Sequence, residues 1–377
     1  MQLSVIILNY NVRYFLELCI VSVQNAIKNI DAEIIVVDNN SLDGSCNMMK
    51  QRFPHVKLIE NNENLGFPKG NNIGVAIAKG EYICILNPDT VVAEDTFSQV
   101  LAFAQKQNDL GIVGVKLIDG TGNFLPESKR GTPTPFVAFT KITGLYKIFP
   151  NMFGKYYAQH LSENKSGKVE ILVGAFMLLK RDLYNKIGGF DENCFMYSDD
   201  IDLSYMALKK GKSNYYFHGT SVIHYKGEST IKDGIYMKRN QEAMNFFFKK
   251  HFRASFFFTF FMKIGIVFFS IVKMVQGKPK PKLDPDNYIL VSNDEILREK
   301  LEKRIKKPIK FQNLAQTFAE NIASEIIFDQ NQLDFKTIIQ AFETHKNSGF
   351  TFKIIPKSSD FMIGSDTSFD RGEVIKI

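Results

Sequence analysis

Short apolar runs alternate with amphipathic stretches along the first 120 residues. The apolar runs carry little polar interruption, which is typical of strands buried on both faces. They are Leu3–Leu8, Glu33–Asp38, Val56–Glu60, Tyr82–Leu86 and Gly111–Leu117. Apolar residues at helical spacing predict helices between these runs, at Arg13–Lys28, Phe67–Lys79 and Thr96–Gln107. Strands that alternate with helices predict an α/β fold with a doubly wound, mostly parallel sheet.

Polar residues follow three of the predicted strands at their carboxyl ends. Asn9 and Tyr10 follow the first strand, Asp38 ends the second, and Asn87-Pro88-Asp89 follows the strand Tyr82–Leu86. Ligands of open α/β sheets bind outside the carboxyl ends of the strands. A carboxylate there suits a divalent cation and a diphosphate.

The loop after the first strand argues against two other nucleotide-binding classes. No G-x-G-x-x-G follows Leu8, which counts against NAD or FAD as a cofactor. The basic, glycine-rich loop of sugar nucleotidyltransferases is missing there as well. Asn9, Tyr10 and Asp38 instead offer an aromatic face and a carboxylate.

A second acidic cluster, Ser198-Asp199-Asp200-Ile201-Asp202, opens a predicted helix that runs to Lys210. Acids are favoured at a helix N-terminus, and Ser198 is a suitable cap. That preference explains one or two acids, whereas three carboxylates within four residues suggest a further role. Upstream, Glu170–Lys180 is predicted to be a strand, in which Gly174-Ala175 allows either close approach of an acceptor or a bulge.

Eight motifs in order resemble the inverting nucleotide-sugar glycosyltransferases of family 2, which have the GT-A fold. The resemblance spans Gln2–Lys250 and is nearest to rhamnosyltransferase-like bacterial enzymes of surface polysaccharide synthesis, including lipopolysaccharide and O-antigen. The motifs are VIILNYN (5–11), VVDNNSLDGS (36–45), NENLGFPKGNN (62–72), LNPDT (86–90), LVGAFMLLKR (172–181), GGFDE (188–192), YSDDIDLSY (197–205) and HYKGEST (224–230).

The resemblance implies a role for each matching position. Asp200 would be the catalytic base with Asp199 beside it, and Asp89 and His224 would bind a divalent metal, Mg or Mn. The predicted acceptor contacts are Arg130, Gly174 and Ala175. The predicted donor contacts are Asn9, Tyr10, Asp38, Asn40, Asn64, Gly66, Lys69, Asn72 and Asn87. The Asp-X-Asp metal motif of the fold is Asn87-Pro88-Asp89 here, so one charge is missing from the site.

The function implied is inverting transfer of a sugar, rhamnose or a similar hexose, from a nucleoside-diphosphate sugar to a hydroxyl of a lipid-linked oligosaccharide or polysaccharide. No organic cofactor and no nucleic-acid partner are expected. The alternatives are a non-catalytic sugar-nucleotide-binding or scaffold protein, which the neutral Asn87 favours, and a sugar nucleotidyltransferase, which the missing basic loop disfavours.

Composition adds few constraints. The chain has 377 residues and a formal net charge of +7, compatible with anionic substrates, an anionic membrane or simply a lysine-rich surface. Its four cysteines form no C-x-x-C motif, so neither a zinc knuckle nor a dithiol site is suggested. Cys19 and Cys84 are predicted to be buried, and a reducing cytoplasm fits. Because a strand begins at Leu3, no signal peptide is expected.

The segment Ala254–Gln276 is long and apolar enough to be considered as a membrane span. Lys263 and Lys273 share one narrow face with two hydroxyl residues, and both flanks are basic, which favours an interfacial helix. A spanning helix and a soluble helix packed on the core are the alternatives. The expected location is the cytoplasmic face of the inner membrane, where the protein would contact the membrane surface as a peripheral or monotopic protein.

Four parts are expected along the chain: a GT-A domain (1–250), the amphipathic membrane-associated helix (251–277), a Pro- and Lys-rich linker (278–286) and a small α/β domain (287–377). In the last part, strands are predicted at Tyr288–Ser292, Ser324–Asp329 and Thr351–Pro356, and helices at Asp294–Lys306 and Phe335–Lys346. The stretch Ser358–Gly372 is predicted to be an exposed loop. Regulation or partner docking is the expected role of this domain.

Overall fold

The computed structural model describes residues 1–134, 154–226, 234–252, 287–318, 323–367 and 372–377, with Pro285 and a few single positions between 136 and 152. The apolar segment 254–276 lies outside the described residues. Across the parts that are described, no helix is long and apolar enough to cross a membrane.

The N-terminal sheet has nine strands in the described chain. They are β1 (Leu3–Asn9), β2 (Ala32–Asp38), β3 (Lys57–Glu60), β4 (Tyr82–Leu86), β5 (Thr90–Val91), β6 (Leu110–Ile118), β7 (Gly167–Val169), β8 (Phe176–Lys180) and β9 (Ser213–His224). The strand order is β3-β2-β1-β4-β8-β6-β9-β5, and β7 also pairs with β9. The first four strands are mutually parallel, and β6 is parallel to β9.

The sheet is mixed rather than mostly parallel. Strand β8 runs antiparallel to both β4 and β6, and β5 and β7 run antiparallel to β9. Strand β8 is reversed because the chain leaves β6 at the carboxyl edge, makes the long excursion 119–175 and re-enters from that edge. The predicted strand Glu170–Lys180 is correspondingly shorter and starts only at Phe176. The fold is a GT-A-like α/β fold with a mixed central sheet.

Helices pack on both faces of this sheet. They are α1 (Arg13–Ala26), α2 (Ser45–Arg52), α3 (Gly66–Ala76), α4 (Thr96–Gln105), α5 (Arg181–Lys186), α6 (Asp199–Lys209) and α7 (Gly234–His251). Helix α3 approaches β1 closely because two glycines face the sheet: a Cβ atom would lie 2.3 Å from Leu8 at Gly70 and 2.6 Å from Ile6 at Gly74. The predicted burial of Cys19 and Cys84 is confirmed.

A second sheet forms near the C-terminus. Its strands are β10 (Asn287–Val291), β11 (Ile309–Phe311), β12 (Ser324–Asp329), β13 (Phe350–Ile355), β14 (Phe361–Ser365) and β15 (Glu373–Lys376). Their order is β11-β10-β12-β13-β14-β15, of which the first four are parallel. The accompanying helices are α8 (Glu295–Ile305), α9 (Leu314–Thr317) and α10 (Phe335–Thr344).

The prediction of an exposed loop at Ser358–Gly372 was wrong. Strand β14 lies within it, is buried along its whole length and pairs with β13 and β15. The apolar run Phe361–Ile363 is only three residues long, and the Ser, Asp and Gly residues around it concealed the strand signal.

The two sheets share one apolar core. The rings of Tyr14 on α1 and Phe361 on β14 meet edge to face, with centroids 4.8 Å apart. Lys116 on β6 pairs with Glu343 on α10 at 2.9 Å. The carboxylate of Glu94 accepts hydrogen bonds from the backbone amides of Phe335 and Lys336, both at 2.9 Å. A side chain from the N-terminal part therefore satisfies two amides of the first turn of α10, which have no partners within the helix.

We expect Glu94→Ala to lower the free energy of unfolding by about 1 kcal/mol, because it removes a carboxylate that binds the start of α10. Urea denaturation of the full chain would measure this effect. The matched control is Glu81→Ala, because Glu81 is 62% exposed and its partner Lys180 is 3.5 Å away. Equal denaturation midpoints for the two variants would show that the contact with α10 contributes nothing.

Candidate active site

The carboxyl ends of β1 and β2 form the first wall of the candidate site. Asn9 Nδ2 donates a 2.7 Å hydrogen bond to Asp38 Oδ2, and Asp38 Oδ1 accepts the backbone amide of Ser41 at 2.7 Å. Asp38 is buried, whereas Tyr10 is 36% exposed. The Asp38 carboxylate is thus fixed, and the adjacent aromatic ring is accessible to a ligand.

The loop that leads into α3 is held by its own polar side chains. Asn64 Oδ1 accepts hydrogen bonds from the amide of Gly66 at 3.0 Å and from Asn39 Nδ2 at 3.2 Å. Gly66 has a φ of +80°, and a Cβ atom there would lie 2.8 Å from the carbonyl oxygen of Phe195. This loop therefore packs directly on the segment that precedes α6.

The other predicted donor residues of this wall divide into two groups. Asn40 and Lys69 are exposed and remain available to a ligand. Asn72 is instead bonded within the protein: its Nδ2 donates to the carbonyl of Phe190 and to Glu192, both at 2.9 Å, and its Oδ1 accepts the amide of Phe190 at 3.1 Å. The contacts of Asn72 favour a structural role over the predicted donor contact.

The antiparallel pairing of β5 with β9 brings together two residues that are 135 positions apart. Thr90 is the register partner of His224, which places the preceding Asp89 beside it. His224 Nε2 lies 3.4 Å from Asp89 Oδ1 and 3.3 Å from Asn87 Nδ2. The side chains of His224 and Asp89 are only 10% and 9% exposed.

These residues fit a divalent cation that also has other ligands. A carboxylate and an imidazole are both common metal ligands. The buried Nδ1 of His224 and Oδ1 of Asn87 have no hydrogen-bond partner in the described structure. In the described parts of the chain, no three His, Cys, Asp or Glu side chains are placed together for metal binding. A cation at Asp89 and His224 would therefore need further oxygen ligands, from water or from a substrate such as a diphosphate.

The second acidic cluster lies on the first turn of α6. Asp200 Oδ2 accepts hydrogen bonds from Arg130 Nη2 at 2.6 Å and from the amide of Gly174 at 3.1 Å. Arg130 also donates to the carbonyl of Leu172 at 3.0 Å. Ser198 precedes the helix, but its side chain makes no capping bond and instead contacts Cys194.

Arg130 supports the acid pair from within the protein. Its side chain is 11% exposed, and its guanidinium points at Asp200. Burial opposes the charge of Arg130, but the charge of Asp200 and the hydrogen bond to it outweigh burial and raise the pKa of the guanidinium. The buried position of Arg130 does not by itself support its predicted contact with the acceptor, which stays a prediction.

Asp199 holds its proton to a higher pH than an ordinary carboxyl group. Burial, with a further contribution from the charge of Asp200, raises the pKa of Asp199 to about 7. Such a carboxyl group titrates near neutral pH, which is the range in which a proton acceptor is most effective.

Gly174 and Ala175 connect the two acidic clusters. The amide of Gly174 binds Asp200, while the carbonyl of Ala175 accepts the amide of Asn87 at 3.0 Å. A Cβ atom at Gly174 would make an ordinary 3.4 Å contact with Asp200. One short backbone segment therefore fixes the distance between the possible metal ligands and the acid pair. The predicted contact of Gly174 and Ala175 with the acceptor stays a prediction.

Comparison with known proteins supplies the family. The sequence model described as glycosyl transferase family 2 matches residues 4–188. This part of the chain belongs to that family. It is a glycosyltransferase domain, and Asn9, Asp38, Asn87, Asp89 and Gly174 all lie within the matched residues.

Two relatives and one solved structure illustrate the range of similar proteins. N-acetylglucosaminyl-diphospho-decaprenol L-rhamnosyltransferase of Mycobacterium tuberculosis is 27% identical over 53% of this chain and 68% of its own length. Low-salt glycan biosynthesis hexosyltransferase Agl10 of Haloferax volcanii is 27% identical over 55% of this chain and 62% of its own. The structure of the mannosyltransferase PcManGT from Pyrobaculum calidifontis, with GDP-Man and Mn²⁺, matches with a TM-score of 0.47 and 18% identity over 74% of this chain and 76% of that one.

The contacts between distant residues of the transferase could not be found from the sequence. Arg130 is 70 residues from Asp200, and nothing in the irregular excursion marked it as the partner of an acid. The pairing of Asp202 with His251, 49 residues away, was missed for the same reason, although the cluster of three acids was a signal that Asp202 needed a partner.

Asp199→Asn should stabilise the transferase more at pH 8 than at pH 5. The folded state holds the Asp199 proton up to about pH 7, whereas the unfolded chain releases it near the usual carboxyl pKa of about 4. The free energy of unfolding therefore falls as pH rises from the unfolded pKa of Asp199 to its folded pKa, and above pH 7 the full loss of stability remains. The asparagine variant avoids this cost, so the difference in Tm from wild type should widen with pH and then level off.

Thermal unfolding from pH 4 to pH 8.5 would measure the difference. Asp182→Asn is the control, because Asp182 is 83% exposed on α5. Parallel Tm curves for Asp199→Asn and wild type would contradict the burial argument.

Arg130→Met should destabilise the protein by about 3–5 kcal/mol, because it leaves the buried Asp200 without its counter-charge. Arg130→Lys keeps the charge and should cost less. Urea denaturation at pH 7.5 measures both variants, and the double variant Arg130→Met/Asp200→Asn should recover part of the loss. A single Met variant as stable as wild type would mean that the pair does not hold α6 in place.

Proposed function

We propose that the protein is an inverting glycosyltransferase that moves a sugar from a nucleoside-diphosphate sugar to a hydroxyl of a lipid-linked or polysaccharide acceptor. The observation that carries this proposal is the placement of two separate acidic groups on either side of Gly174–Ala175. Asp89 with His224 lies on one side, and Asp199 with Asp200 on the other. Inverting transfer requires both a site for the leaving diphosphate and a carboxylate for the acceptor proton.

Direct displacement at the anomeric carbon requires the attacking hydroxyl to lose its proton. The acid pair on α6 is the proposed acceptor of that proton, with Asp200 as the base and Asp199 beside it. General-base catalysis of this kind typically contributes about 10²–10⁴-fold in rate. The Arg130 guanidinium and the Gly174 amide fix the Asp200 carboxylate, and the neighbouring Ala175 carbonyl binds the Asn87 amide, which supports a common site for the base and the donor sugar.

The leaving group is a nucleoside diphosphate, on which negative charge develops as the glycosidic bond breaks. When bound at Asp89 and His224, a divalent cation supplies Lewis-acid stabilisation of that charge. The aromatic face of Tyr10 and the fixed carboxylate of Asp38 are the proposed contacts of the nucleoside. Exposed Asn40 and Lys69 and the loop at Asn64–Gly66 complete the proposed donor wall.

Rhamnose or another hexose is the proposed sugar, and a polyprenyl-linked oligosaccharide is the proposed acceptor. The name of the Mycobacterium tuberculosis relative supports both, because it describes transfer of L-rhamnose to a diphospho-decaprenol-linked sugar. An acceptor of this kind would place the reaction at a membrane surface, and we propose the cytoplasmic face of the inner membrane.

A non-catalytic sugar-nucleotide-binding protein is the second candidate, because neutral Asn87 stands where the metal motif of the fold has an acid. The two candidates differ in what Asp200 does. In the transferase, loss of its carboxylate stops turnover as well as changing stability, whereas in a binding protein its loss changes stability alone.

Asp200→Asn should lower the turnover number at least about 10²-fold while leaving donor binding intact. Binding would be measured as the rise in Tm caused by a panel of nucleoside diphosphates and nucleotide sugars, with and without Mn²⁺. Turnover would be measured as nucleoside diphosphate released in the presence of membranes and metal. Asp182→Asn serves as the control for a carboxylate lost from the surface.

Two outcomes would count against the transferase. If wild type binds a nucleotide sugar but releases no diphosphate with any acceptor fraction, the binding-protein candidate is the better one. If no nucleotide raises the Tm, the donor wall is wrongly assigned.

A further inference from the structure

The third acid of the cluster, Asp202, has contacts unlike those of Asp199 and Asp200. Its side chain is 2% exposed, and both of its oxygens are bonded to α7. Oδ1 accepts from His251 Nε2 at 2.5 Å, and Oδ2 accepts from Lys250 Nζ at 2.8 Å. Both charged partners of Asp202 therefore come from the last turn of α7.

The histidine of this contact is as deeply buried as the acid. The His251 side chain is 1% exposed and packs between the rings of Tyr205 and Phe247, with centroids 4.7 and 5.0 Å away. Lys209 Nζ lies 3.0 Å from His251 Nδ1. Because an ammonium group can only donate, Nδ1 is the acceptor there, and the ring proton lies on Nε2, where it bonds Asp202.

The same end of α7 also binds the segment that leads into α6. Lys250 Nζ lies 2.6 Å from Asp191 Oδ2. The segment from Asp191 to Ser198 carries Phe195, whose carbonyl accepts the amide of Phe67 at 3.0 Å. The last turn of α7 thus contacts both the first turn of α6 and the loop that ties α6 to the predicted donor wall.

Helix geometry shows what this contact does to the acid pair. Successive residues are about 100° apart around a helix axis, so Asp200 and Asp202 point in nearly opposite directions. Asp200 is bonded to Arg130 and Gly174 on one side, and Asp202 to His251 and Lys250 on the other. Two anchors on opposite sides fix the rotation of the turn about its axis, which neither would do alone.

We propose that Asp202 is a positioning residue, and that its bonds to His251 and Lys250 at the end of α7 set the orientation of the Asp199–Asp200 pair. The inference rests on the proposed function as far as turnover is concerned. It gives the last turn of α7 a part in the reaction: a displaced last turn would turn the acid pair away from the acceptor hydroxyl.

Three variants test the contact. Asp202→Asn removes one of the two carboxylates that pair with Lys250. His251→Phe keeps a ring between Tyr205 and Phe247 but cannot donate a hydrogen bond. His251→Gln restores a donor and is the conservative rescue. Asp109→Asn is the matched control, because Asp109 pairs with Lys168 at 2.7 Å just before β6, at the opposite edge of the sheet.

We expect Asp202→Asn and His251→Phe to lower kcat about 10²-fold, the size of effect that a displacement of about 1 Å produces. The KM for the donor and the nucleotide-induced rise in Tm should stay at wild-type values, because the donor wall is not touched. His251→Gln should recover most of the rate, and Asp109→Asn should not change it. A loss of Tm in Asp202→Asn with unchanged kcat below the unfolding temperature would overturn the proposal.

A second measurement does not require turnover. Amide hydrogen exchange over residues 198–206 should accelerate in Asp202→Asn and His251→Phe, but not in His251→Gln or Asp109→Asn. Unchanged exchange in the first two variants would overturn the positioning role even if the rate fell. If wild type releases no nucleoside diphosphate, the proposed function fails, and the exchange measurement still decides whether α7 holds the first turn of α6.

Discussion

The backbone of Gly174 and Ala175 is the constraint on which the candidate site depends. The amide of Gly174 binds Asp200 and the carbonyl of Ala175 binds Asn87, so one short turn links the acid pair to the loop that precedes Asp89. The segment is itself fixed by β8, which it enters at the edge of the sheet where the other strands end.

Buried carboxylates explain why so much of the chain takes part in one site. Asp199, Asp200 and Asp202 are all buried within a single helical turn, and charges cannot be buried without partners at an acceptable cost. Asp200 finds its partner in the excursion after β6, and Asp202 finds its partners on α7. Burial and the charge of Asp200 raise the pKa of Asp199, and the charge of Arg130 only partly offsets them. The turn therefore contains two anchored acids and one that titrates near neutrality.

The elements were more predictable from the sequence than their contacts. Buried runs such as Leu3–Leu8 and Tyr82–Leu86 predicted strands because an uninterrupted apolar run leaves few alternatives. The direction of β8 was not predictable, since it depends on how the excursion re-enters the sheet. Proximity of Asp89 and His224 was expected only from the family resemblance. The strand Phe361–Ser365 was missed because pairing with β13, not its own short pattern, makes it a strand.

Residues of the C-terminal sheet pack against Tyr225, the residue that follows His224 of the candidate site. Tyr225 directly follows His224, is fully buried, and packs edge to face on Phe15 at 5.4 Å. A Cβ atom at Gly120 would lie 2.5 Å from Ser365 Oγ and 2.9 Å from Tyr225, and one at Gly372 would lie 2.6 Å from Phe15. Residues of β14 and of the chain before β15 therefore help to enclose the residue next to His224. Strand β5 fixes His224 on one side, and the C-terminal residues enclose the adjacent Tyr225 on the other. The C-terminal sheet therefore contributes to the position of the candidate metal ligand, a role different from the regulation or docking expected from the sequence.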